Sequence, residues 1–152
     1  MTKVLIAYAS ITGNDAEIAD ILEETFENNN LDVNIKEISQ IETKELLNYD
    51  IDVIVTYTYD DQFVPEETID FYKDIKTIDL SNKIYGCCGS GDTFYDDFCA
   101  SVDRFDKALK MSGGIKGAEN VYVELAPEMD DIKKLDNFAY ELIKKFNTNK
   151  IK

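Results

Sequence analysis

The chain has 152 residues, a net charge of −15 and a hydrophobic fraction of 44%. This length predicts one domain, residues 1–152, with a core of its own, and the charge argues against nucleic acid and anionic membranes as partners. No apolar run reaches the roughly 20 residues that span a bilayer, and no secretion signal precedes the first strand, so we expect a cytoplasmic protein.

Apolar runs alternate with amphipathic segments along the whole chain. The run Val4–Tyr8 is continuously apolar, which is typical of a strand buried on both faces. Shorter or more polar runs predict four more strands. These are Val33–Ile38, Asp52–Tyr57, Lys83–Cys88 and Val121–Leu125.

Helices are predicted between the strands, where apolar residues recur every three or four positions. In the first helix, Ile18 and Leu22 belong to such a stripe, and the pair Gly113 and Gly114 ends the helical segment 96–112. The alternation predicts a parallel sheet with helices on both faces and right-handed crossovers. The predicted helical segments are 15–29, 43–48, 66–76, 96–112 and 128–146.

The three cysteines, Cys87, Cys88 and Cys99, form no CxxC pair, and the chain has no histidine. Zinc sites use clusters of cysteine and histidine, and a disulfide framework needs an even number of cysteines. We therefore expect reduced, partly buried thiols and no metal site. No His, Cys or Lys near the loops suits acid–base work, so we also expect no catalytic residue.

The loop after the first strand, Ser10–Asp15, precedes the first helix directly. Open parallel sheets bind ligands at the carboxyl ends of their strands. The first N–H groups of a helix lie at the positive end of its dipole, so this loop suits a phosphate. Ser10, Thr12 and Asn14 add side-chain donors, and residues 4–35 contain no Lys or Arg. The phosphate would therefore be held by uncharged donors.

Two further loops follow the third and fourth strands and lie at the same edge of the predicted sheet. They are 58–63 and 89–95, and they contain Tyr59 and Tyr95 respectively. Two aromatic residues on separate loops above one phosphate site indicate a flat ring stacked between them.

These three loops resemble those of short-chain flavodoxins of the Gram-positive type. Ser10–Asp15 is similar to the family pattern Ser/Thr-x-Thr-Gly-Asn-Thr, Thr56–Tyr59 to the second flavin loop, and Gly89–Cys99 to the third. The resemblance covers nearly the whole chain. It implies a flavodoxin-like α/β three-layer sandwich, with five parallel strands in the order 2-1-3-4-5. It also implies a monomer that binds FMN and transfers single electrons between proteins.

The resemblance also assigns a role to each site residue. One group holds the phosphate, two tyrosines flank the flavin ring, and a third group bonds the ring's polar edge and N5. The residues that hold the phosphate are Ser10, Ile11, Thr12, Gly13, Asn14 and Asp15. Tyr95 covers the outer face of the flavin ring, and Tyr59, beside Thr58, covers the inner face. The pyrimidine edge is bonded by Ser90, Gly91 and Asp92, and the Asp60 carbonyl faces N5.

Three residues depart from the family pattern. Asp15 stands where threonine is usual, and we expect its carboxylate to point to solvent, support the helix dipole and lend only its N–H to the phosphate. Asp60 and Gln62 replace glycines, which makes the second loop stiffer. An aspartate adds about 1 kcal/mol to the turned peptide that bonds N5, so half-reduced flavin should be less stabilised than is usual.

Carboxylates gather in the loops on the flavin side, and residues 50–72 and 84–103 contain no Lys or Arg. Negative charge disfavours the anion that full reduction creates, so we expect a low potential. The same charges predict basic partners, an NAD(P)H-dependent reductase and acceptor enzymes. The acidic residues are Asp60, Asp61, Glu66, Glu67, Asp92, Asp96 and Asp97.

Other protein classes fit the sequence less well or stay open. A response regulator needs acids at the ends of strands one and three, where residues 8–10 and 56–58 supply none. A dinucleotide enzyme needs GxGxxG after strand one, and this chain has no such motif there. A nucleotide triphosphatase needs GK[ST], which the chain also lacks. Three alternatives stay open: an FMN-dependent reductase, a flavodoxin-like activator of ribonucleotide reductase, and a binding module with weakened FMN affinity.

Overall fold

The sheet of this protein is built from six parallel strands. The computed structural model describes residues 1–9, 11–59, 63–95 and 98–150, and within those ranges the strands follow the order β2-β1-β3-β4, with β5 and β6 both on the outer side of β4. The predicted strand order is confirmed. The strands are β1 Lys3–Tyr8, β2 Asp32–Glu37, β3 Ile51–Thr58, β4 Ile84–Gly91, β5 Ile115–Lys116 and β6 Val121–Glu124.

Helices cover both faces of the sheet. Successive side chains of a strand point to opposite faces, so Val4 and Ile6 of β1 pack in one core layer while Leu5 and Ala7 pack in the other. The first layer includes apolar residues of α1 and α4, and the second includes those of α2 and α3. The α-helices are α1 Asn14–Asn28, α2 Ile69–Asp74, α3 Ala100–Met111 and α4 Met129–Lys150.

Among the described residues there are also four short 3₁₀ segments: Ile38–Gln40, Thr43–Asn48, Glu66–Thr68 and Ile75–Thr77. Two of these flank α2, so the predicted helix 66–76 is a short α-helix between two tighter turns. In the part of the chain that the structure describes, no helix combines the length and apolar character that crossing a membrane requires.

Strand β4 runs three residues further than the sequence predicts, to Gly91. Glycine and serine have low strand propensity, so the pattern ends at Cys88. Pairing decides the outcome instead, because Gly89–Gly91 are held between β3 and β6. A Cβ atom on Gly89 would lie 1.7 Å from the carbonyl oxygen of Thr56, so this position requires glycine. The predicted loop residues Ser90 and Gly91 are therefore strand residues.

At the outer edge of the sheet the sequence predicts one strand, Val121–Leu125, and the structure has two short strands, β5 and β6. β5 pairs with Ile84 and Tyr85, and β6 pairs with the last four residues of β4. Gly117 lies between them, and a Cβ there would come within 2.6 Å of Ile84 and 2.8 Å of Leu142. The two residues of β5 are too few to give a periodic pattern.

The start of α3 also differs from the prediction. The helix begins at Ala100, not at 96, and Cys99 before it has φ +55°. The N–H of Ser101 donates to Oγ1 of Thr58, and the hydroxyls of Ser101 and Thr56 lie 2.9 Å apart. The carboxyl end of β3 thus sets where α3 starts.

Candidate functional site

The loop after β1 leads into the N-terminus of α1. Gly13 precedes the helix with φ +92°, a conformation that glycine adopts at little cost. The N–H of Glu17 donates to the Gly13 carbonyl and closes the first turn. Ile11, Thr12 and Gly13 are exposed. The dipole of α1 therefore points its positive end at an open loop with neutral side chains, which suits an anion.

A chain of hydrogen bonds connects this loop to β3 and β4. The side-chain amide of Asn14 donates to the hydroxyl of Tyr59 at 2.8 Å. That hydroxyl donates to Oγ of Ser90 at 2.8 Å, and the Ser90 hydroxyl donates to Oδ1 of Asp15 at 2.6 Å. Three segments that are distant in sequence are thus fixed to one another, and hydrogen bonds in such a chain strengthen each other.

The structure overturns the expected orientation of Asp15. Its side chain is 1% exposed and points into the protein, where Oδ1 also accepts the N–H of Ser90 at 3.1 Å. Burial raises the pKa of Asp15 to about 8, against the smaller opposing effect of the Ser90 hydrogen bonds. The expectation of a solvated carboxylate was wrong because the Ser90 donors compete successfully with solvent.

A sequence signal for this burial exists. Asp15 lies three residues before Ile18, four before Ala19 and seven before Leu22, all fully buried on the inner face of α1. That spacing places Asp15 on the apolar stripe of the helix. Its partner Ser90 carries no comparable signal, because the end of β4 was not predictable from propensity.

The end of β3 places two tyrosines side by side. Tyr57 and Tyr59 stack with ring centroids 5.7 Å apart and planes at 22°. The Tyr57 hydroxyl donates to both carboxylate oxygens of Glu67, at 2.8 and 3.0 Å. Between them, Thr58 is 3% exposed and its Oγ1 accepts from Ser101 beneath α3. The structure thus gives the Thr58 side chain a packing role and leaves Tyr59 half-buried beside the loop.

The loop after β4 carries Asp92 and Tyr95 in a tight turn. Oδ1 of Asp92 accepts the N–H of Phe94 at 2.9 Å, and its carbonyl accepts the N–H of Tyr95 at 3.0 Å. Thr93 donates from its backbone and its hydroxyl to Glu124. The half-buried Tyr95 ring meets Phe94 edge to face at 5.3 Å. The turn therefore fixes Tyr95 through backbone groups and one carboxylate.

Some predicted site residues lie outside the described residues. These are Ser10 of the first loop and Asp60, whose carbonyl is expected to face N5. The same holds for four other residues that the sequence singles out, Asp61, Gln62, Asp96 and Asp97.

Comparison with known proteins establishes the family of this chain. A family model described as Flavodoxin matches residues 6–138. The chain belongs to the flavodoxin family. Its cofactor is FMN, and its general activity is electron transfer. The residues described above fit this cofactor, because a flavodoxin must supply anion-binding donors at one end of the site and aromatic faces at the other.

Individual relatives agree with this assignment. "Probable flavodoxin 1" of Bacillus subtilis (strain 168) is 39% identical over 140 residues, which is 91% of this chain and 89% of that protein. The flavodoxin of Streptococcus pneumonia TIGR4 superposes with a TM-score of 0.92 at 44% identity, covering 95% of this chain and 99% of its own. A short-chain flavodoxin associated with a non-canonical PDU bacterial microcompartment gives 0.93 at 42%, covering 96% and 99%.

Proposed function

We propose that this flavodoxin is a low-potential carrier of single electrons between an NAD(P)H-dependent reductase and acceptor enzymes, and has no substrate of its own. FMN supplies the redox chemistry when it is bound. The observation that carries the proposal is the charge of the flavin-side loops. Glu66, Glu67 and Glu124 are exposed at the carboxyl end of the sheet, and Asp92 lies half-buried beside them.

These carboxylates act on any negative charge that reduction adds to the site. One carboxylate at about 10 Å disfavours such a charge by about 0.4 kcal/mol even at the dielectric constant of water. Because 59 mV corresponds to a tenfold change for one electron, each carboxylate lowers the potential by about 17 mV. The seven acidic residues that the sequence places in the flavin-side loops together lower it by roughly 100 mV at low salt, and less when salt screens them.

The test is a redox titration of the FMN-loaded protein. In the triple variant Asp61→Asn, Glu66→Gln, Asp96→Asn, we expect the potential of the second electron to rise by about 50 mV at low ionic strength. A matched triple variant, Asp32→Asn, Asp74→Asn, Glu119→Gln, removes the same charge away from the carboxyl ends of the strands. Equal shifts in the two triple variants, or no rise in the first, would refute the electrostatic account.

For the site residues we propose the roles that the family pattern suggests. Residues Ser10–Asp15 hold the phosphate, Asp15 through its backbone N–H alone. Tyr59, beside Thr58, covers the inner face of the flavin, and Tyr95 covers the outer face. Ser90, Gly91 and Asp92 bond the pyrimidine edge, and the Asp60 carbonyl faces N5. The supporting observations are the open N-terminus of α1 and the half-buried positions of both tyrosines.

For partners and location we propose basic proteins in the cytoplasm, with this chain acting as a monomeric single domain, residues 1–152. A net charge of −15 supports the basic partners, because opposite charges accelerate encounter. The free, buried thiols of Cys87, Cys88 and Cys99 suit a reducing compartment.

No observation favours the alternative functions. The binding module with weakened FMN affinity depended in part on repulsion between Asp15 and the phosphate. Burial raises the pKa of Asp15 to about 8, so this side chain is mostly uncharged at neutral pH and the repulsion is small. An activator of ribonucleotide reductase would use the same cofactor and differ in its partner.

A further inference from the structure

The Asp15 carboxyl has one bonded and one unbonded oxygen. Oδ1 accepts two hydrogen bonds from Ser90, from the backbone N–H at 3.1 Å and from the hydroxyl at 2.6 Å. Oδ2 is also buried, and it has no hydrogen-bond partner among the residues described. Asp15 is the second residue of α1, so this unequal arrangement lies directly behind the phosphate loop.

The arrangement is less unfavourable for a neutral acid than for a carboxylate. In a neutral carboxyl group, Oδ1 is the carbonyl oxygen that both Ser90 donors require, and the proton lies on Oδ2. An ionised group would place half of its charge on a buried oxygen that no donor meets, which is unfavourable. Burial raises the pKa of Asp15 to about 8, and the nearby charge of Glu67 acts in the same direction.

We propose that Asp15 is a positioning residue that couples FMN binding to a proton. The neutral side chain anchors Ser90, and through it Tyr59, against the start of α1 while the phosphate binds on the adjacent amides. The ionised side chain brings a second negative charge to the same helix terminus and opposes the phosphate. By linkage, FMN binding must then favour protonation of Asp15 as strongly as protonation favours FMN binding.

The other groups that face Asp15 do not account for such coupling. From β4, burial raises the pKa of the Cys88 thiol well above its ordinary value, and from the turn before α3, burial raises that of Cys99 to about 12. Burial therefore opposes the ionisation of both thiols. From the 3₁₀ segment after β3, Glu67 is bonded to Tyr57 and acts on Asp15 through its charge.

The test is the pH dependence of FMN affinity, measured by fluorescence quenching of FMN from pH 7 to 9.5. Between pH 7 and pH 9.5, we expect the dissociation constant of the wild-type chain to rise by a factor about five or more times larger than that of Asp15→Asn. Asp15→Asn has nearly the same shape and no charge, and Asp15→Thr, the residue usual in the family, is a second neutral variant. The variant Glu67→Gln removes a neighbouring charge that raises the pKa of Asp15, so the rise in dissociation constant should persist and begin at a slightly lower pH.

Proton uptake gives an independent readout. Calorimetric titrations with FMN at pH 8.5, in buffers of different ionisation enthalpy, should show the wild-type chain taking up about half a proton more than either neutral variant. Parallel pH profiles and equal uptake in all three chains would overturn the proposal. Weaker binding by both neutral variants at pH 9.5 would overturn it too, because the charge would then assist FMN.

Discussion

Tyr59 donates its hydroxyl proton to Oγ of Ser90 at 2.8 Å, and so joins the end of β3 to the end of β4. The same hydroxyl oxygen accepts the side-chain amide of Asn14, the first residue of α1. One phenol thus fixes the relative position of all three segments that meet at the proposed FMN site. The aromatic ring and the hydroxyl of this residue therefore have separable roles.

Removal of that hydroxyl should weaken FMN binding without removing the ring. For Tyr59→Phe we expect the dissociation constant to rise about fivefold, because the two hydrogen bonds that order Asn14 and Ser90 are lost at a net cost of about 1 kcal/mol. The measurement is a fluorescence titration at pH 7. Tyr57→Phe is the matched control, since that hydroxyl bonds Glu67 instead, and an equal effect of both substitutions would contradict the role given to Tyr59.

A second buried carboxyl, Asp52 in the middle of the sheet, should limit stability. It is 1% exposed, and neither of its side-chain oxygens has a hydrogen-bond partner within the described structure. Burial raises its pKa well above the ordinary value, against the weaker opposing charge of Lys83. The unfolded chain therefore releases a proton at lower pH than the folded chain does.

The sign of the pH effect follows from that difference. The stability associated with Asp52 is fully present below the ordinary aspartate pKa and is lost as pH rises toward the folded value, by up to about 1.4 kcal/mol per pH unit. In chemical denaturation at pH 7.5, we expect Asp52→Asn to raise the free energy of unfolding by about 1–3 kcal/mol. The exposed Asp20→Asn is the control, and a destabilised Asp52→Asn protein would show that the carboxylate is stabilised by its surroundings.

The carboxylate of Asp106 should instead stabilise the fold. It accepts hydrogen bonds from Tyr85 at 2.6 Å, Lys116 at 2.9 Å and Asn120 at 3.2 Å. Burial acts to raise its pKa, but these three donors together outweigh burial and lower it. The stability that Asp106 contributes is therefore lost as pH falls through its folded pKa.

For Asp106→Asn we expect a loss of about 1–3 kcal/mol in the free energy of unfolding at pH 7. Lys116 loses its charged partner, and the asparagine side chain has one acceptor oxygen where the carboxylate has two. The measurement is urea denaturation. The control is Asp103→Asn. Asp103 lies almost one turn earlier on α3 and is exposed, so its substitution should lower the free energy of unfolding by less. The reverse ranking would show that the donors around Asp106 pair elsewhere.

Partner encounter should depend strongly on salt. With dithionite-reduced protein and the basic acceptor cytochrome c in a stopped-flow experiment, we expect the bimolecular rate to fall about tenfold or more between 10 and 300 mM ionic strength. The attraction between the acidic loops and a basic surface is the physical reason. A rate that is unchanged or rises with salt would argue against electrostatic docking.

The elements that the sequence predicts well are those in which local pattern and tertiary packing agree. Val4–Tyr8 and the stripe of α1 satisfy both, and the alternation of strands and helices leads directly to the layered sheet. The end of β4 was missed because Ser90 and Gly91 are strand residues only through pairing with their neighbours. Asp15 was predicted to face solvent because an acid in the first turn of a helix interacts favourably with the helix dipole there. Its burial depends instead on hydrogen bonds from Ser90, which the sequence does not reveal.

The site follows the same division. The positions of the loop before α1 and of the two tyrosines were predictable, since each follows a recognisable strand. The hydrogen bonds from Asn14 through Tyr59 and Ser90 to Asp15 were not, because they join residues up to 75 positions apart. Such contacts depend on the register of three strands, which no local pattern encodes.

The central claim is that the loops after β1, β3 and β4 form one FMN site, and it is tested most directly by titrating FMN with the apoprotein and following flavin fluorescence. We predict quenching that grows linearly to one equivalent of protein, together with a yellow complex that survives gel filtration. Undiminished fluorescence at micromolar concentrations of both components would contradict the account.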